Sequence, residues 1–177
     1  MAVLFLATIA SAQVPGGNIF LGYSYARADI GSTDRANLNG WNGSLEGKVF
    51  PWVGIVADVS GHYGTQNFPR ICTTPGPCPP VPVDGSVYSA VFGPRVSVSV
   101  GRIRPFAHAM FGVSHVNLDS SFVNGSDTSF SSALGGGIDY NLVPAIAWRV
   151  QMDNLQTRFF SDTQNNFRLS TGIVFHF

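Results

Sequence analysis

Asn166-Phe-Arg-Leu-Ser-Thr-Gly-Ile-Val-Phe-His-Phe177, the last stretch of the 177-residue chain, alternates with a period of two. Phe167, Leu169, Thr171, Ile173, Phe175 and Phe177 fall on one face, and Arg168, Ser170, Gly172, Val174 and His176 on the other. Successive side chains of a strand point to opposite sides. Strict alternation over this length therefore specifies a β-strand with one bulky apolar face and one small or polar face. Left as a free edge, such a strand invites aggregation. It must be paired, and its apolar face must be covered by protein or by lipid.

The same pattern recurs upstream. Residues 18–27 set Ile19, Leu21, Tyr23 and Tyr25 against Gly22, Ser24 and Ala26. Residues 38–50 set Trp41, Leu45 and Val49 against Asn42, Ser44, Glu46 and Lys48, and residues 53–63 set Ile55, Val59 and Tyr63 against Asp58, Ser60 and His62. Further strands are read over 87–100, 105–116, 129–140 and 145–155, which with 166–177 makes eight. Pro94 falls inside the fourth, where its missing ladder donor suggests a bulge. The connections alternate between short ones, such as Pro51-Trp52, and long polar ones, such as 64–85. The expected fold is all-β, an eight-stranded antiparallel up-and-down transmembrane β-barrel with both chain ends on the short-turn side.

Alternation alone does not say which face is inside, and a soluble lipocalin-like barrel, apolar within and polar without, is the rival. Side-chain size separates the two. An eight-stranded barrel has little interior room, which suits the Gly, Ser and Ala face, while the other face carries Trp, Phe, Leu and Val. Glu46, Lys48, Asp58, Arg95, Asp139, Arg149, Asp153 and Arg168 then become interior charges, expected to pair because an unpaired buried charge is costly. Aromatic residues gather at both strand ends: Phe50, Trp52, Phe106, Tyr140, Trp148, Phe175 and Phe177 near the short turns, and Tyr23, Tyr25, Trp41, Tyr63, Tyr88 and Phe130 near the long loops. Two such belts are expected at the two membrane interfaces.

Composition narrows the function. Only 11% of the residues are charged, at a formal net charge of zero, so there is no electrostatic footprint for nucleic acid. Residues 1–12 carry an apolar run ending in Ala10-Ser11-Ala12, the small-x-small pattern before a secretory cleavage site, which assigns 1–12 to a signal peptide and 13–177 to the barrel domain. The basic flank of such a signal is missing. Either the true start lies upstream or the stretch is a short buried helix; the intact cleavage pattern favours the signal. Cys72 and Cys78, in a Pro-rich connection, are the two cysteines of the chain. In an exported protein they are expected to form a disulfide that orders the loop. Two sulfurs without further ligands fall short of a zinc site, and no metal or cofactor is expected.

Ser170-Thr-Gly172-Ile-Val-Phe175-His-Phe177, together with the weaker Arg104-Pro-Phe-Ala-His-Ala-Met-Phe-Gly112, resembles the OmpA-like outer-membrane β-barrel family of small porin-type proteins over residues 18–177. The resemblance implies a Gram-negative-type outer membrane, with membrane lipid as the surrounding partner. It also implies that Gly172, Phe175 and Phe177 form the signal that the outer-membrane assembly machinery reads. Members of the family that anchor the envelope carry a peptidoglycan-binding domain after the barrel; this chain ends at the barrel, so the resemblance does not extend to that role.

Three functions suit such a barrel. His115, near Ser114, Asn117 and Asp119, lies where a lipid A hydrolase would work, but His115-Val-Asn-Leu does not match the His-x-Ser-Asn arrangement of the lipid A deacylases. A narrow porin is the second. The third, which the sequence supports best, is a monomeric, non-catalytic barrel with a structural or loop-mediated surface role, its lumen filled by its own side chains.

Overall fold

Alternating small and bulky residues fold into eight long strands in the computed structural model, which describes residues 16–29, 35–68, 81–119, 125–159 and 162–177. They are β1 (Gly17–Asp29), β2 (Arg35–Phe50), β3 (Val53–Phe68), β4 (Val81–Ser97), β5 (Ile103–Asp119), β6 (Gly125–Val143), β7 (Ile146–Phe159) and β8 (Asp162–His176). Each pairs antiparallel with its neighbours in sequence, and β8 pairs with β1, so the sheet closes into a barrel without an edge. Closure gives the last strand the partner that its free edge required. Residues 1–12, read as a signal, and Cys72 and Cys78, read as a disulfide, lie outside the described residues.

The stagger of the barrel follows from its register. The Gly16 carbonyl accepts a hydrogen bond from Lys48 N at 3.2 Å. From there the pairing runs through Lys48, Gly54, Arg95, His108, Gly135, Asp153 and Arg168 and rejoins β1 at Ala26. One circuit thus climbs ten residues, from 16 to 26, along β1. A stagger of this kind tilts the strands by about 35–45° to the barrel axis.

Two expectations need correction. The strands continue into stretches read as long connections: β3 and β4 stay paired as far as Phe68 and Val81, well inside 64–85. A ladder is made by backbone groups, so it persists where polar residues erase the apolar period. Pro94 produces no bulge either. Phe92 pairs with Phe111 and Arg95 with His108 in unchanged register, so the proline costs rungs of the ladder and not its alignment. The irregularities lie instead at Lys48/Phe50 and Asn141/Val143, beside short turns, where a rim tolerates them.

The molecule is turned inside out relative to a water-soluble domain. Phe92, Val100 and Leu134 are 65%, 65% and 69% exposed, while Arg95, Arg149 and Arg168 are wholly buried in the lumen.

Candidate functional site

The interior charges are brought together by the stagger. Lys48, Arg95, His108, Asp153 and Arg168 lie far apart in sequence yet follow one line of the register as it winds up the wall. All of them are on the inner parity of their strands, so the line becomes a spiral of charged side chains inside the barrel.

Contacts along the spiral are continuous. Lys48 Nζ lies 3.3 Å from Glu46 Oε1, and Arg95 Nη1 lies 3.1 Å from Glu46 Oε2, which also accepts a hydrogen bond from Asn18 Nδ2 at 2.8 Å. Arg95 Nη2 then approaches His108 Nδ1 at 3.4 Å, and His108 Nε2 lies 2.7 Å from Asp153 Oδ1. Since a guanidinium only donates, His108 accepts at Nδ1 and donates at Nε2, linking the lower half of the network to the upper. Above it, Arg168 Nε donates to Asp153 Oδ2 and Arg168 Nη1 to Asp58 Oδ1, both at 2.8 Å. Asn42 Nδ2 completes Asp58 by donating to its Oδ2 at 2.9 Å. Arg149 holds Asp139 with two bonds, Nε at 2.6 Å and Nη2 at 2.8 Å, and reaches Asn18 Oδ1 at 3.4 Å.

All eight charges singled out in the sequence therefore sit on the inner face, each within an ion pair. Glycine makes room for one of them. A Cβ at Gly135 would come within 2.2 Å of Asp153 Oδ1 and 2.3 Å of the Met152 carbonyl oxygen, so that carboxylate occupies the space a side chain on β6 would take.

Two aromatic rings in the lumen were not singled out with the charges. Phe106, expected in the aromatic belt near the short turns, is instead buried inside the barrel with the Arg95 and Arg149 guanidinium carbons 4.4 and 4.7 Å from its ring centroid. Phe20 lies 5.1 Å from the same atom of Arg149. Parity carries the signal that was missed, because Phe106 shares its face with His108 and Phe20 with Ser24. The rings present π-faces to cations held away from water, where such contacts are strongest. Val56, Val91, Met110, Ala133 and Leu155 fill further interior space.

The outward surface is apolar around the wall and aromatic near both ends. Trp52, Trp148, Tyr140, Phe175 and Phe177 are exposed near the short turns, and Tyr23, Trp41, Tyr63, Tyr88 and Phe130 toward the other end. Trp148 keeps its indole N–H satisfied on this face by donating to Thr171 Oγ1 at 3.0 Å.

Ser114 and His115 do not form a catalytic pair. Being adjacent in a strand, they point to opposite sides. Ser114 Oγ is inside, donating to Ser89 Oγ at 2.8 Å, while the His115 ring is outside against Thr128 and Asn117.

The three residues read as an assembly signal line the seam between the last strand and the first. Gly172 pairs with Gly22, and a Cβ on Gly172 would lie 2.2 Å from the Leu21 carbonyl oxygen and 2.4 Å from Gly22 Cα. Phe175 pairs with Ile19, and Phe177 exchanges backbone hydrogen bonds with Gly17 at 2.9 and 3.1 Å.

Comparison with known proteins bears on the fold. No family model and no curated protein sequence matches the chain. Among solved structures, Neisserial surface protein A is similar with a TM-score of 0.70 at 13% identity, covering 91% of this chain and 97% of that one. Ail, the attachment invasion locus protein of Yersinia pestis, gives 0.65 at 16% identity, covering 92% and 99%. The N-terminal β-barrel domain of Pseudomonas aeruginosa OprF gives 0.54 at 13%, covering 92% and 98%. Over nearly its whole length, the chain has the fold of these small eight-stranded outer-membrane β-barrels.

Proposed function

We propose that the protein is an integral, monomeric barrel of a Gram-negative-type outer membrane, with a structural or loop-mediated surface role and no catalytic activity. The observation that carries this reading is the inversion of polarity: bulky apolar side chains stand exposed around the wall while three arginines are wholly buried within it. Water would solvate neither arrangement well, whereas hydrocarbon suits the outer face and ion pairing the inner one. The fold shared with Neisserial surface protein A and with a protein named for attachment and invasion fits a role at the cell surface. In the same reading the assembly machinery recognises Gly172, Phe175 and Phe177.

Gel migration of the membrane-extracted protein, with and without heating, tests the location. A folded barrel resists detergent and migrates faster before heating than after. A protein that leaves the membrane in plain buffer, or whose migration does not change, would contradict the proposal. Planar-bilayer recording tests the closed lumen: no steady conductance is expected. Stable channels abolished by Arg149→Ala would favour a narrow porin instead.

A further inference from the structure

The short-turn mouth of the barrel opens into a cavity of about 560 Å³ lined by Lys48, Ser99, Arg104, Asn141, His176 and Phe177, among others. Its charges are out of balance. Three cationic N–H groups converge on one neutral oxygen: Ser97 Oγ lies 2.7 Å from Lys48 Nζ, 3.3 Å from Arg104 Nε and 3.1 Å from Arg104 Nη2. A hydroxyl oxygen has two lone pairs and no charge, so it serves these donors poorly. Ser97 is itself 4% exposed, which fixes the meeting point of the donors within the wall.

The carboxylates nearby are already engaged. Asp139 is opposite Arg104 in the register but is held by two bonds from Arg149. Glu46 divides its two oxygens between Lys48 and Arg95. Arg104 therefore makes no ion pair among the described residues. His176 lines the same cavity, and its Nε2 is buried without a hydrogen-bond partner among them. Counted by side chains, the lower lumen thus holds four cations, Lys48, Arg95, Arg104 and Arg149, against two carboxylates, Glu46 and Asp139. This surplus lies at the mouth, where a solute can reach it.

We propose that this mouth is a binding site for a small oxyanion of the phosphate class, free or carried on a small molecule, with Arg104 and Lys48 as its charged anchors. A planar guanidinium fork beside a compact ammonium suits the separate oxygens of a phosphate, and Asn141 and Ser99 supply neutral partners at the rim. A ligand of this kind relieves the crowding at Ser97 Oγ by accepting the Arg104 donors itself. The site stands on the geometry of the lumen and goes beyond the structural role proposed above.

Titration of the full-length protein with inorganic phosphate, in a detergent whose headgroup carries no phosphate, is the test, read by calorimetry. Saturable binding is expected, weakened about tenfold by Arg104→Gln, the loss of one charge-assisted interaction. Arg104→Lys should recover part of it. Arg102→Gln removes the same charge from the neighbouring turn and should leave the affinity unchanged. Equal weakening by Arg102→Gln and Arg104→Gln, or no saturable binding to the wild type, would overturn the site in favour of diffuse attraction. Heat-dependent gel migration of each variant confirms that it is folded. Repeating the titration in nanodiscs of phosphatidylglycerol separates two sources of the same chemistry: competition by the bilayer identifies a lipid headgroup, and undiminished phosphate binding a soluble ligand.

Discussion

Arg168 on β8 and Asp58 on β3 meet across the lumen, Nη1 to Oδ1 at 2.8 Å, although 110 residues separate them in the chain. Neither side chain reaches solvent, and Asp153 holds the same guanidinium from the other side. Removing one partner leaves the other charge buried, so Asp58→Ala is expected to cost about 3 kcal/mol, near the low end for a broken buried pair because Asp153 remains. Urea unfolding in lipid vesicles measures it. The double variant Asp58→Leu/Arg168→Met should be less damaged than the sum of its single variants. Strict additivity would show that the two residues do not act as a pair.

The apolar wall gives a depth-dependent prediction. Leu21 is exposed in the middle of β1, paired with Gly43 and Ile173, whereas Leu142 is exposed beside a short turn. Leu21→Arg should destabilise the folded barrel in vesicles by about 2–4 kcal/mol and Leu142→Arg by about 0–1 kcal/mol. Equal costs would mean that the wall does not meet a hydrocarbon layer.

Phe106 offers its ring to two buried guanidinium groups. Phe106→Leu keeps an apolar side chain but removes the π-face, and should cost about 1–2 kcal/mol by the same unfolding assay. Phe50→Leu, on the exposed belt, should change stability by less than about 0.5 kcal/mol. A similar small effect at Phe106 would reduce its role to filling space.

The seam between β8 and β1 is the most crowded place to add a methyl group among the residues read as an assembly signal. Gly172→Ala must push against the backbone of Leu21 and Gly22, while Gly47→Ala, on β2, meets nothing within 4 Å. We expect the first to lower the fraction of protein that reaches the heat-modifiable form and the second to leave it unchanged. Deleting Phe177 distinguishes recognition from packing: as part of an assembly signal it should reduce insertion in cells while leaving refolding into vesicles intact.

Much of this architecture could be read from alternation alone, because inward and outward residues of a closed barrel obey one parity rule along every strand. That rule placed Glu46, Asp58, Arg95, Asp139, Arg149, Asp153 and Arg168 on the inner face, where all are buried. It could equally have placed Phe106 and Phe20, but a large aromatic residue on the small-residue face looks like an exception until its cationic neighbours are known. Which charges meet depends on the ten-residue stagger, and stagger is a property of the closed sheet that no single strand encodes. Arg104 illustrates the same limit. Its sequence neighbours suggest nothing unusual; the imbalance around it arises because Asp139, directly across the register, is committed to Arg149 on the next strand.

The Arg168–Asp58 contact also bears on mechanics. A thin-walled cylinder is stiff along its length but soft to being squeezed into an ellipse, and a membrane presses on its proteins from the side. Ion pairs that join distant strands through the interior act as cross-braces against that deformation. Flattening the cross-section would have to pull Arg168 on β8 from Asp58 on β3, and the contact of His108 with Asp153 would pass the strain on towards Arg95. The interior charges thus tie the strands of a wall one residue thick to one another across the lumen as well as along it.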